Sequence, residues 1–319
     1  MSFRALIAAT AIVILSAGCS TNRDLDELFD PSAVGTLVVD AVLIVDQPPP
    51  TVFVRQILAP NQAYDPDLAA VSATVSIWYG DDGEFEYTYH EQGLGEGTTG
   101  RYMPDIATPY IQPGTRYTLG VRTEDGRRVT ATTVTPNRFS VSDWVLLNEE
   151  SLDVRKTLRT FADSGDIYTA PENQIIYQDG LLEARFAAGD HADRFHIGLQ
   201  SLDLDSDFVI EGDFLDEEDF AEFQRQTSSP ALEATGDFVR LPWFAIFFAG
   251  RYKIRVYAVD QNWFDLARSS PELVGIEGPS FGGNAGDDFD QPIFHVEGGI
   301  GLFGSGAVDS IGFTILPSE

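Results

Sequence analysis

The chain contains one cysteine, and its position predicts covalent attachment of lipid. Cys19 ends the stretch RALIAATAIVILSAGC, in which Arg4 precedes an apolar run at residues 5–15 and three small residues precede the thiol. A cationic start, a short apolar run and small residues before a cleavage point are the parts of a secretion signal. We therefore predict a lipoprotein signal at residues 1–19, with lipid on Cys19. The alternative is an ordinary cleavable signal with an incidental cysteine.

A run of alternating carboxylates is the best candidate for a metal site. The segment DLDSD places Asp203, Asp205 and Asp207 at every second position, and carboxylates in a loop can converge on Ca²⁺. Phe208 replaces the glycine that an EF-hand loop needs, and Phe214 stands where its closing glutamate would be. The sequence therefore leaves two readings open, a calcium-stabilised structural or adhesion protein and a solvated acidic loop or sheet edge.

One tryptophan has the sequence context of a ligand-binding residue. Trp78 alternates with Val75, Ile77 and Tyr79, so it lies on the polar face of the predicted strand. Exposed aromatic rings stack on sugars and on partner side chains, whereas the other three tryptophans are expected to pack in the core. We predict a ligand or partner role for Trp78, which would fit a carbohydrate-binding or other nutrient-binding surface lipoprotein.

The residue patterns of common enzyme classes do not occur in the sequence. The four histidines are too scattered for the ligand spacing of a zinc site. No serine lies in a GxSxG motif, and no P-loop or GxGxxG follows a predicted strand into a helix. The 50 acidic residues offer too many pairs to single out two glycosidase carboxylates. We therefore expect a protein that is not an enzyme and has no cofactor beyond a possible Ca²⁺.

Charge and composition restrict the partners further. Removal of the signal would leave 50 acidic and 19 basic side chains, and so strong a negative charge disfavours binding to nucleic acid. Any membrane contact is expected to come from lipid on Cys19. Hydrophobic residues make up 43% of the chain, which is enough for substantial cores. No second apolar run is long enough to span a bilayer.

Short segments with period-two alternation, separated by glycine, proline and aspartate, predict an all-β protein. After a tether at residues 20–34, residues 35–136 are predicted to form an immunoglobulin-like or transthyretin-like antiparallel sandwich. Residues 137–319 are predicted to form a second antiparallel β domain with helical insertions at residues 216–226 and 261–269. The two hairpin turns of the first unit contain acidic residues and glycine.

Four segments carry a resemblance to a known family. These are LVVDAVLIVDQ, SATVSIW, PGTRYTLGV and, near the C-terminus, EGGIGLFG, whose GGxGxFG pattern is the most specific. Together they resemble the bacterial lipoproteins of domain of unknown function 4249 (DUF4249). The glycines of GGIGLFG are predicted to lie between strands and to permit a close backbone approach or a bulge.

The resemblance implies an outer-membrane lipoprotein without established catalytic residues. Members are often encoded beside TonB-dependent receptors, which implies an accessory role in nutrient uptake. Ser20 after the cysteine, where aspartate would signal retention, fits export to the outer membrane. Ser16 departs from the lipobox pattern, in which leucine is commoner. The resemblance leaves open whether the protein body faces the periplasm or the exterior.

Overall fold

A computed structural model of the protein describes residues 33–59, 62–63, 65–80, 83–92, 99–105, 109–186, 193–209, 225–234, 236–241, 243–269 and 292–318. The protein is mostly β, as the sequence predicts, and its described residues include two α-helices. The lipoprotein signal with Cys19 lies outside the described residues. So does all but the end of the helix predicted at residues 216–226.

The elements are β1 (Leu37–Ile44), β2 (Val52–Gln56), α1 (Pro66–Ala69), β3 (Ala73–Tyr79), β4 (Phe85–Glu91), β5 (Arg101–Pro104), β6 (Arg116–Thr123), β7 (Arg128–Val134), β8 (Val141–Leu147), β9 (Val154–Thr157), β10 (Gln174–Ile176), β11 (Leu181–Phe186), β12 (Arg194–Ser201), β13 (Gln226–Ser228), β14 (Leu232–Glu233), β15 (Phe238–Arg240), β16 (Gly250–Val259), α2 (Gln261–Ser269), β17 (Val296–Glu297) and β18 (Ile300–Leu316). The strands predicted around both hairpins of the first unit are confirmed. The helix α2 is confirmed as well. No helix among the described residues is long and apolar enough to cross a membrane.

The first seven strands enclose one hydrophobic core in a sandwich-like arrangement that closes on itself. Antiparallel pairing follows the order β1, β2, β5, β4, β3, β6, β7 and β17. The start of β18 then pairs with β1, so the short turn at Gly298 and Gly299 brings the chain back to the first edge. Alternate residues such as Ile77, Tyr87 and Leu119 point inward and are buried. Period-two alternation therefore places every second side chain of these strands on the outer surface.

The second core lies between two facing sheets. One is the four-stranded sheet β15-β11-β8-β9, and the other contains β12, β16 and the second part of β18. Trp144 of β8 is only 1% exposed, in agreement with the predicted core role. The rings of Phe186 and Phe195, one from each sheet, lie 5.1 Å apart and stack. Aromatic side chains thus hold the two sheets together across the core.

The strand β18 belongs to both cores and contains most of the glycine-rich motif. Its first residues pair in parallel with β1, and from Gly306 onward it pairs with β16 in antiparallel register. Phe303 is buried in the first core, whereas Phe313 is buried in the second. The expectation that GGIGLFG lies between strands is therefore wrong, because five of its seven residues form strand β18. The predicted close backbone approach is confirmed at Gly301, which pairs with Val39.

A half-buried carboxylate connects the two cores. Asp260 caps the start of α2 by accepting from the backbone N–H of Trp263 at 3.0 Å. It also accepts from the backbone N–H of Ser305 in β18 at 3.0 Å and from the hydroxyl of Thr133 in β7. Burial raises the pKa of Asp260, and these hydrogen bonds only partly offset the effect. One side chain thus joins β7, β18 and α2.

Candidate functional site

Trp78 occupies the outward position that the sequence predicts. Val75 and Ile77 of the same strand point inward and are buried, whereas Trp78 is half-buried. Its indole leans across the sheet towards Gly120 of β6, where an added Cβ would lie 2.4 Å from Cζ3 of the ring. Any larger residue at position 120 would displace the ring, so this glycine helps to set the position of the indole.

An open groove of about 450 Å³ lies on the same outward face. In the sheet register Trp78 pairs with Thr118, and Gly120 pairs with Thr130. The strand order β3-β6-β7-β17 therefore places the indole at one side of the groove and β17 at the other. The groove is lined by Thr118, Thr130, Ala131, Thr132, Phe294, His295, Val296 and Glu297.

Threonine hydroxyls form the floor of the groove. The Oγ1 atoms of Thr118 and Thr132 lie 3.3 Å apart and share a hydrogen bond. Thr130 donates to Oε2 of Glu297 at 3.3 Å. Each hydroxyl can donate one hydrogen bond and accept two, so this floor keeps unused capacity for a ligand. Threonine is β-branched and therefore favours β-strands, so the sheet can carry several hydroxyl groups in a row.

The helix α2 fixes the imidazole on the far wall. Nε2 of His295 lies 2.7 Å from Oδ2 of Asp265, a buried residue of α2 whose other oxygen accepts from Arg268. Burial acts to raise the pKa of Asp265, but hydrogen bonds from Gln261 and His295 and the charge of Arg268 bring it below its usual value. The carboxylate is therefore ionised at neutral pH and orients the His295 ring.

The acidic run lies in the loop after β12, where arginines already hold it. The carboxylate of Asp203 accepts from the backbone N–H of Arg251 at 2.7 Å and from its guanidinium at 2.6 and 2.8 Å. The guanidinium hydrogen bonds lower the pKa of Asp203. Within the described parts of the chain no three acidic, histidine or cysteine side chains are grouped to hold a metal ion. Asp203 is therefore engaged by Arg251, and the metal role of Asp203, Asp205 and Asp207 stays a prediction.

The cations of β16 have mixed partners. Arg251, Lys253 and Arg255 lie at alternate positions of this strand, and Arg251 pairs with Asp203. Lys253 instead lies 5.4 Å from the centroid of the Phe161 ring, and Arg255 donates to the side-chain amide of Gln200. Of these three cations, one is thus neutralised by an acid, one packs on an aromatic ring and one is bound to an amide.

His196 lies on the side of β12 that faces away from the second core, where α2 covers it. The indole N–H of Trp263 donates to Nδ1 of His196 at 3.1 Å. Burial lowers the pKa of His196 to about 4, and a hydrogen bond involving the backbone of Ser229 offsets this only in part. The imidazole is therefore neutral at pH 7 and serves the packing of α2 on the sheet.

Only some of the residues at the groove can be predicted from the sequence. The alternation of β3, β6 and β7 places Trp78 and the threonines on one outer face. His295 and Glu297 follow them by more than 150 positions, and the pairing of β17 with β7 that brings them close leaves no local signal. Asp265, which orients His295, follows the threonines of the floor by more than 130 positions. These residues could be located only from the tertiary structure.

The fold defines an all-β protein with two cores and an open polar groove on the outside of the first. A family model described as Domain of unknown function (DUF4249) matches residues 24–311, which is nearly the whole chain. The protein belongs to this family, as the sequence resemblance implies. No curated protein matches the chain.

Proposed function

We propose that this protein is an outer-membrane lipoprotein that acts by binding, as an accessory to a TonB-dependent receptor. The groove beside Trp78 carries the proposal. Its polar groups are held in place by Glu297, Asp265 and the sheet, and it opens to solvent. Ligand sites combine such positioned polar groups with aromatic surface. The protein then presents a ligand or docks a partner without chemical conversion.

The anchor is Cys19. A processed bacterial lipoprotein carries three acyl chains, more than the roughly two membrane signals that stable anchoring requires. The folded body then needs no membrane-binding surface of its own, and its groove is free for another task. The net charge of −30 fits this arrangement, because an anionic body is repelled by anionic lipid.

Replacement of the lipid acceptor tests the anchor. We expect Cys19→Ser to abolish metabolic labelling with palmitate and to move the protein from the outer-membrane fraction. The thiol is the only one in the chain, so no other cysteine can substitute. Ser16→Leu, which brings the lipobox closer to its common pattern, is the matched control and should keep full labelling. Unchanged labelling of Cys19→Ser would show that Cys19 is not the acceptor.

The receptor partner is supported by the family resemblance and is tested in cells. Cells are treated with a mild chemical crosslinker, the lipoprotein is purified and the captured proteins are identified. A TonB-dependent receptor should be among them. The Cys19→Ser protein should capture much less of it, because it is no longer held beside the receptor. Equal recovery from both proteins, or recovery of other proteins alone, would contradict the accessory role.

A further inference from the structure

The chemistry of the groove restricts the class of ligand. Among the described residues that line the groove, Glu297 is the one acid and none is a lysine or arginine. Glu86, an exposed acid, pairs with Trp78 in the register of β3 and β4. The same outward face also carries Arg122 and Arg128, an exposed pair one outward position along from Gly120 and Thr130. Charges of both signs therefore border the groove, which favours a neutral ligand over a strongly charged one.

The floor of the groove excludes a ligand that is purely apolar. An apolar molecule would remove Thr118, Thr130 and Thr132 from water, and the hydrogen-bonding capacity that their bonds to one another and to Glu297 leave unused would stay unsatisfied. Burying polar groups without hydrogen-bond partners is unfavourable. A ligand rich in hydroxyl groups avoids this cost, because it can donate to Glu297 and both donate to and accept from the threonines.

Trp78 supplies an aromatic surface beside the polar groups of the groove. Its half-buried indole is not part of the lining itself, but Trp78 pairs with Thr118 in the sheet register and its ring leans towards Gly120, the partner of Thr130. The ring therefore lies beside the threonine floor, within reach of a ligand that extends from it. Sugar rings have apolar C–H faces and polar edges, which match an aromatic ring beside hydroxyl and carboxylate groups. A cationic ligand would account for the carboxylates beside the groove, but not for the row of threonine hydroxyls on its floor.

We propose that the groove binds a neutral glycan, with one sugar ring against Trp78 and its hydroxyls on Thr118, Thr130 and Glu297. This inference rests on the proposed function and specifies its ligand. The imidazole of His295, held by Asp265, limits the groove at its far wall and leaves it open along the sheet. A chain of sugars can lie in such a groove, whereas a single buried sugar would need an enclosed pocket.

Calorimetry on the purified full-length lipoprotein in detergent tests the inference. The probes are maltohexaose, cellohexaose, xylohexaose and mannohexaose at millimolar concentration. At least one should bind the wild-type protein, and Trp78→Ala should weaken that binding about tenfold or more, as for a central aromatic contact. Trp78→Phe should recover part of the affinity, because it keeps an aromatic ring. Glu297→Gln should weaken binding severalfold without a change in fold.

Tyr110→Ala is the matched control, since Tyr110 is 57% exposed and lies outside β3, β6, β7 and β17, the strands beside the groove. Its affinity should stay within about twofold of wild type. Circular dichroism should show that all variants remain folded. Failure of all four glycans to bind would overturn the glycan assignment, and so would binding that Trp78→Ala and Glu297→Gln leave unchanged. Either result leaves the receptor test by crosslinking intact, so the two proposals fail separately.

Discussion

Gly301→Ala is expected to lower the free energy of unfolding by at least about 3 kcal/mol, which is a large loss for one methyl group. Gly301 has a φ of +116°, which residues with a side chain rarely adopt. An added Cβ would lie 2.0 Å from the carbonyl oxygen of Val39, its partner in β1. The parallel pairing of β1 with β18 would have to open, and this pairing closes the first core. Urea unfolding of the purified protein measures the loss.

Gly126→Ala is the matched control for this prediction. Gly126 has a similar φ of +91°, but nothing lies within 4 Å of an added Cβ. The change should therefore cost only about 1 kcal/mol, from backbone strain alone. If Gly301→Ala and Gly126→Ala lose the same stability, then contact between β1 and β18 is not what requires the glycine.

Asp260→Ala is expected to cost about 3 kcal/mol and to loosen the junction between the cores. The change leaves the hydroxyl of Thr133 and the N–H groups of Ser305 and Trp263 without their acceptor. It also removes the N-cap of α2, whose loss alone costs about 1 kcal/mol. Hydrogen exchange should show faster exchange at α2 and at the middle of β18 in the variant.

The Asp260→Asn variant distinguishes the contribution of the hydrogen bonds of Asp260 from that of its negative charge. The amide oxygen keeps an acceptor, and burial already raises the pKa of Asp260, so loss of the charge itself costs little. We expect this variant to lose about 1 kcal/mol. Asp46→Ala, which breaks an exposed ion pair with Arg138, should leave the exchange of α2 unchanged. A larger loss in Asp260→Asn than in Asp260→Ala would contradict this role.

Local patterns in the sequence predict the strands well because sheet burial has a period of two residues. The alternations through Val75, Phe195 and Tyr252 each mark a real strand with buried inward residues. The helix α2 is also predicted, from its aromatic residues. In each case the information lies within about ten neighbouring residues.

Long-range pairing is what the sequence does not reveal. The glycines of GGIGLFG predict a close approach, but not that the strand beginning there would pair with β1 and extend through both cores. For the same reason Trp78 is predicted as a site residue while His295, Glu297 and Asp265 are not. Register between distant strands is set by the packing of the whole core, which no local pattern contains. The groove depends on that register.

Photocrosslinking from the groove in the bacterium that produces the protein tests the central claim most directly. A photoreactive amino acid replaces Thr132 on the groove floor or, as a control, Leu204, which is 77% exposed in the loop after β12. If the protein binds through the groove, irradiation should yield a defined adduct with a receptor or its glycan ligand from position 132, and much less from position 204. Equal adducts from both positions, or none from position 132, would contradict binding at this groove.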